Sequence, residues 1–222
     1  MTGKLYIVAT PIGNYRDITL RALDVIKEAD AVICEEYRQG STLLKKIGSG
    51  KKDLIQLNEH NEDEVSEEIA REILMGKVYA LISDCGTPAF ADPGTSLVRT
   101  CIEYSIPVIP VPGPSSLMAA ISVSPLPLET FFYAGFLSRK TEERKQQLLQ
   151  YRNLQSPLVI MESPYRLEKL LEEISRVFGK GRLITLAYNL TLDGEHVYHD
   201  SVAEVQKAVK NKKGEFVIIV HR

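Results

Sequence analysis

Cysteine is scarce: Cys34, Cys85 and Cys101 are too few and too scattered in 222 residues for a disulfide framework or a zinc site. They read as reduced structural thiols, and no histidine or basic group stands close to Cys85 in sequence to activate it. A charge excess is also missing. With 27 Lys and Arg against 29 Asp and Glu the formal net charge is −2, so the chain lacks the basic balance of a typical nucleic-acid-binding domain. Any RNA affinity must come from local patches. Long apolar runs are absent too. Lys4 is followed by five apolar residues before Thr10, which is not a signal-peptide pattern. No run approaches the ~18 residues that span a bilayer, so a cytoplasmic protein without a membrane partner is expected. Finally, Ala9-Thr10-Pro11-Ile12-Gly13 lacks the repeated glycines of the dinucleotide turn, which argues against a Rossmann-type methyltransferase or dehydrogenase.

What remains is the composition of an ordinary globular chain, 44% apolar and 25% charged, with no internal repeat or low-complexity tract. Strand and helix signals alternate throughout, which predicts an α/β fold with a mainly parallel first sheet. Strands are expected at 4–9, 30–34, 53–57, 78–83 and 107–111, with helices around 18–29, 40–47, 62–75 and 94–105 between them. In the clearest of these, Val65, Ile69, Ile73 and Leu74 are expected to share an apolar face. Six prolines between Pro107 and Pro127 mark a boundary, giving lobes at 1–113 and 114–222, with a helix opening near Pro114. The second lobe has strand signals at 131–135, 157–161, 183–188, 195–200 and 215–221 and helices at 139–151 and 164–178. Its 195–200 strand is expected to run antiparallel, making that sheet mixed.

The most informative segment is Ser83-Asp84-Cys85-Gly86-Thr87-Pro88-Ala89-Phe90-Ala91-Asp92-Pro93-Gly94, which follows the apolar run Val78 to Ile82. Open α/β sheets bind ligands at the carboxyl ends of such strands. The plain structural alternative is a stiff loop in which Asp92 caps the next helix and Pro93 takes its first position. Two similar turns flank it. Leu5 to Ala9 runs into Thr10-Pro11-Ile12-Gly13-Asn14, and Pro107 to Val111 runs into Pro112-Gly113-Pro114-Ser115-Ser116. Three such ends on parallel strands would lie along one edge of the sheet, where glycine admits a ligand to the backbone and proline stiffens the turn.

Taken in order, "LYIVATPIGNYRDITLRALDVIKEAD", "EHNE", "LISDCGTPAFADPG", "IPVIPVPGPSS" and "ESPYRL" resemble the tetrapyrrole-methylase superfamily of S-adenosylmethionine (SAM) methyltransferases. Within it they are most similar to the bacterial small-subunit rRNA 2′-O-ribose methyltransferase I family. The resemblance implies two α/β lobes with SAM in the cleft between them, in a homodimer. It places Pro11 and Gly13 at the cofactor or its target, and Asp84, Gly86 and Thr87 along the cofactor. Ser115 and Ser116 would hold its carboxylate or ribose, with Met161 and Ala187 as second-lobe contacts. Met161 could equally be an ordinary core filler at a strand end.

A ribose hydroxyl is a poor nucleophile while protonated, so a base is expected. Candidates are Glu36, His60 and Asp84, with Glu59 beside them. Asp84 could instead bind cofactor, Glu36 could pair with Arg38, and His60 could be a hydrogen-bonded turn residue. For RNA, Arg139, Lys140, Arg144 and Lys145 form one basic cluster, with Arg16, Arg21 and Arg38 as additions. The interleaved Glu142 and Glu143 make a solvated helix face the competing reading.

This chain departs from the family pattern in three places. It has Glu35-Glu36-Tyr37-Arg38 where Glu-Asp-Thr-Arg is usual, and Ala187-Tyr188-Asn189-Leu190-Thr191-Leu192 where a charged Arg-Glu-Leu-Thr-Lys is usual. A small helical module commonly follows the family's second lobe, whereas this sequence runs to Arg222 just after its last strand signal. The expectation is a SAM-dependent methyltransferase acting on a cytidine 2′-hydroxyl in 16S rRNA, with the small ribosomal subunit as partner and no metal. The alternatives are methylation of a small molecule or protein, or SAM binding without turnover.

Overall fold

In the computed structural model the described residues are 3–90 and 92–222, so Ala91 of the loop motif lies outside them. The chain divides into two compact units, Met1–Ser115 and Ser116–Arg222.

Five strands form the first sheet: β1 (Lys4–Val8), β2 (Ala31–Cys34), β3 (Asp53–Gln56), β4 (Val78–Ile82) and β5 (Val108–Val111). Their order is β3-β2-β4-β1-β5, and every pairing is parallel. Parallel sheets need cover on both faces, which is why β2 and β4 read as nearly unbroken apolar runs. One face is covered by α1 (Leu20–Glu28) and α2 (Tyr37–Lys46), where Ile26, Leu43 and Leu44 pack on Val8, Val32 and Ile82. The other carries α3 (Glu62–Leu74) and α4 (Thr95–Glu103), whose Ile69, Ile73 and Leu97 pack on Leu5, Ile33 and Leu81.

The apolar face of α3 differs from expectation. Ser66, Ile69, Ala70 and Ile73 are its buried residues, while Leu74 is 58% exposed. At 100° per residue Leu74 falls off the stripe that positions 66, 69, 70 and 73 define.

The helix after β1 covers one face and the helix after β4 the other, so the chain leaves these two adjacent strands toward opposite faces of the sheet. Such a pair of connections to opposite faces is where an open α/β sheet leaves a crevice. It sets the place of the candidate site.

The second unit opens with α5 (Ser116–Ser122), two residues later than expected, and holds β6 (Phe132–Phe136), β7 (Leu158–Glu162), β8 (Leu183–Tyr188), β9 (His196–Ser201) and β10 (Phe216–Val220). The sheet order is β6-β7-β10-β8-β9; β6 and β7 are parallel, and the other pairings are antiparallel. The sheet is therefore mixed, as the sequence predicts. One face packs α5 through Leu117 and Ala120 on Val159, Ala187 and Val217. The opposite face packs α6 (Thr141–Tyr151), α7 (Leu167–Phe178) and α8 (Val202–Ala208) around Leu148, Ile160, Leu170, Ile174 and Val205.

Helix α8 has no counterpart in the sequence reading. Ser201 caps it, its side chain accepting from the Glu204 N–H at 3.3 Å. The Ser-x-x-Glu spacing of a capping box was therefore present in the sequence.

Candidate functional site

The three strand-end turns of the first unit are tied together by backbone bonds and close packing. Thr10 donates its N–H to the Gly86 carbonyl at 2.8 Å and accepts from the Gly86 N–H at 3.1 Å, a two-bond bridge between the β1 and β4 turns. Thr10 is fully buried, and its hydroxyl reaches the carbonyls of Ser83 at 3.2 Å and Gly86 at 3.4 Å. Gly86 has φ +82°, which L side chains rarely adopt, and a Cβ there would stand 3.4 Å from Ile12 Cγ2. The β5 turn closes the group. A Cβ on Gly113 would meet the Ala9 Cβ at 3.1 Å, and the Thr87 hydroxyl reaches the Pro114 carbonyl at 3.4 Å. Pro11 and Gly86 are buried, Gly13 and Ser115 half-buried, and Asp84 and Thr87 exposed.

Around this frame lie carboxylates. Asp84, two residues beyond β4, accepts a bond from the Glu36 backbone N–H. Desolvation and then the Glu36 charge nevertheless raise its carboxyl above the ordinary Asp value. Asp92 is pushed up to about 6 by desolvation and then by Asp84, with a hydrogen bond from Ser83 partly offsetting both. Desolvation raises Glu35 as well, followed by the charges of Asp84, Asp92, Glu36 and Glu59. Glu35, Glu59, Glu62 and Asp92 line a cavity of about 440 Å³. Among the described residues no group of three or more His, Cys, Asp or Glu side chains could hold a metal ion. Glu35, Asp84 and Asp92 are thus set to take up protons closer to neutral pH than free carboxyl groups.

The helix after the loop starts differently from the expected pattern. Asp92 does not cap it: Gly94 is the N-cap residue, and Glu62 Oε1 accepts from the N–H groups of Gly94 at 2.9 Å and Ser96 at 2.7 Å. The capping carboxylate thus comes from α3, 32 residues away in sequence from Gly94. Local patterns carry no signal for such a cap.

Glu36 is exposed and precedes α2 without a side-chain capping bond. His60 is a turn residue: its side chain is 84% exposed, it faces Glu59 at 3.6 Å, and its N–H donates to Asn58 Oδ1 at 3.0 Å. Arg16 lies in a short 3-10 turn, Tyr15–Asp17, and Arg38 in the first turn of α2; both are exposed. The cysteines are all free; burial pushes Cys34 and Cys101 up to about 11, while Cys85 is exposed.

In the second unit Met161 and Ala187 share one sheet face with Val159 and Val217. Tyr133 Oη donates to Met161 Sδ at 3.2 Å, and Ala187 is fully buried in that apolar packing. Ser116 opens α5 and is half-buried. The basic cluster is much reduced. Arg144, expected among its surface charges, is 2% exposed and forms a two-pronged pair with Glu173 at 2.6 and 2.8 Å. Lys140 pairs with Glu143 and Lys145 with Glu142, each at 2.7 Å. Arg139 is exposed and has no carboxylate partner among the described residues.

An all-parallel α/β unit with tied strand-end turns, followed by a mixed-sheet α/β unit, defines a two-lobe methylase architecture. The solved uroporphyrin-III C-methyltransferase from Thermus thermophilus shares it, with a TM-score of 0.68 at 19% identity over 99% of this chain and 94% of that one. Residues 4–206 match the family Tetrapyrrole (Corrin/Porphyrin) Methylases. The protein named ribosomal RNA small subunit methyltransferase I of Escherichia coli O157:H7 is 40% identical over 98% of this chain and 77% of its own length. Its namesake from Leptospira biflexa serovar Patoc is 38% identical over 99% and 91%. The chain belongs to the tetrapyrrole methylase family, in the branch of these rRNA small subunit methyltransferases I. Enzymes of this family take their methyl group from S-adenosylmethionine.

Proposed function

We propose that this protein methylates a ribose 2′-hydroxyl of a cytidine in 16S rRNA of the small ribosomal subunit, with Asp84 as the base. The observation that carries the reading is the crevice built by the Thr10–Gly86 bridge in a chain whose relatives bear the rRNA name. The residues fit SAM. Gly86 and Gly113 let the three turns approach one another closely, and the exposed Gly113 and Thr87 with the half-buried Ser115 supply backbone and polar groups at that edge. SAM supplies a methyl group on a sulfonium whose thioether leaves without needing a proton. The protein's task is alignment of the acceptor and removal of its proton. Asp84, with its carboxyl raised and fixed by the Glu36 N–H, is placed to receive that proton. Glu36 tunes Asp84 by its charge, and His60, in its exposed turn, is assigned no proton transfer. Arg16, Arg38, Arg139 and Lys140 are assigned to RNA phosphates, and the protein to the cytoplasm as a homodimer.

Incubation with methyl-labelled SAM and small subunits lacking the modification, followed by nuclease digestion and mass spectrometry, tests this reading. Label on one ribose supports it; SAM binding without label on any subunit overturns the RNA acceptor. A porphyrinoid or protein acceptor is the second reading, favoured by the net charge of −2 and the uncharged run from Tyr188 to Leu192.

A further inference from the structure

The carboxyl ends of the adjacent parallel strands β6 and β7 form a second site of different character. A pocket of about 530 Å³ opens there, lined by Phe136, Leu137, Arg139, Glu162, Ser163 and Arg166. Its floor is a buried charge. The Glu162 side chain is 0% exposed; its Oε1 accepts from the Ser163 N–H at 2.7 Å and contacts Arg166 Nη2 at 2.5 Å. Arg166 Nη1 donates to the Ser138 carbonyl at 3.2 Å, so the guanidinium is held from two sides. Glu162 Oε2 is buried without a hydrogen-bond partner. An unmatched carboxylate oxygen costs folding free energy, so stability alone gives no reason for it. Fixing the Arg166 fork at the pocket does.

The rest of the lining agrees. Arg139 is the cation of its cluster without a carboxylate partner among the described residues. Two guanidiniums against the one carboxylate of Glu162 leave the pocket positive. Phe136, 52% exposed, offers an aromatic face beside them. Paired guanidiniums suit a phosphodiester, and an exposed ring suits an unstacked base.

We propose that this pocket seats one nucleotide of single-stranded RNA, its phosphate between Arg139 and Arg166 and its base on Phe136, with Glu162 as a positioning residue. The inference rests on the RNA reading above and adds to it a second-lobe subsite, remote in sequence from the strand-end turns of the first unit.

The test uses the full chain and a fluorescein-labelled single-stranded oligocytidylate, read by anisotropy across a salt series. R139Q should weaken binding severalfold and reduce the magnitude of the slope of log K against log salt by about 0.7, the loss of one phosphate contact. R166K, which keeps its charge but loses the planar fork, should weaken binding severalfold with the slope nearly unchanged. F136A should weaken binding on the order of tenfold with the slope unchanged. E162Q should raise KM for small subunits while leaving kcat in place. SAM affinity, measured by calorimetry on each variant, should stay at the wild-type value. Phe136 and Arg139 are exposed, so F136A and R139Q decide the matter even if a variant at Arg166 or Glu162 fails to fold. Unchanged RNA affinity and slope in those two, with subunits still methylated, would overturn the pocket and leave the RNA reading standing. A wild type that neither binds the probe nor methylates subunits would overturn both.

Discussion

Thr10 and Gly86, 76 residues apart, exchange both of their backbone hydrogen bonds, and the buried Thr10 hydroxyl adds a third contact to the Gly86 carbonyl at 3.4 Å. The β1 and β4 turns therefore move as one piece. A ligand seated on either meets a surface arranged before it arrives, which lowers the ordering cost of binding.

Disturbing that bridge should reach the cofactor. Gly86 sits at φ +82°, a backbone conformation that L side chains rarely adopt, so G86A should cost about 1–2 kcal/mol of stability. T10V removes a buried donor and should cost about 1–2 kcal/mol. Both should weaken SAM binding, and calorimetric titration beside thermal melts checks this. Wild-type SAM affinity in both variants would mean that the bridge does not shape the cofactor site.

Asp84 has one role in the proposal, as proton acceptor. D84N should lower kcat by about 10²–10³-fold while the Kd for SAM stays within about threefold. Single-turnover rates and SAM titrations on the same preparation separate the two quantities. A lost SAM affinity with intact turnover at saturation would make Asp84 a cofactor ligand instead.

Asp92 makes stability depend on pH in the direction opposite to a paired carboxylate. Its folded pKa of about 6 lies above the ordinary 3.8, so between those values the folded chain holds a proton that the unfolded chain has lost. Stability from this group is present below pH ~4 and is lost as pH rises toward 6. D92N should flatten that slope and stabilise the protein at pH 7 by about 1–2 kcal/mol, after discounting for solvent screening. Urea unfolding at pH 4 and pH 7 measures it.

The Arg144–Glu173 pair should behave as a unit. Both side chains are nearly inaccessible, so R144M alone strands a buried carboxylate and should cost about 3–5 kcal/mol. Replacing both with apolar residues of similar size should recover most of that loss. Denaturant unfolding of the single and double variants gives the coupling directly.

Much of the fold was legible because it rests on periods and turns. Apolar runs located β2, β4, β7, β8 and β10, since a strand buried on both faces has little choice but Val, Ile, Leu and Ala. The edge strands β3 and β9, by contrast, carry polar residues and are largely exposed or half-buried. The one missed helix, α8, is only seven residues long and sits between two strands, although its Ser201-to-Glu204 cap was written in the chain. The site was less legible. Proximity in sequence made Asp92 look like the α4 cap and grouped Arg144 with Arg139, and both assignments failed once distant carboxylates appeared. Glu62 takes over the cap, and Glu173 draws Arg144 inward.

By itself, then, the sequence determined the alternation of strands and helices and the Gly- and Pro-bearing turns that follow β1, β4 and β5. Each follows from local backbone preference and apolar period, which the chain carries residue by residue. Only the tertiary structure decided which turns meet, which carboxylates crowd Asp84 and Asp92, and which cation of the 139–145 cluster lacks an acidic partner. Those outcomes depend on Coulomb and hydrogen-bond partners tens of residues away, and their energies exist only after folding has removed the water between them.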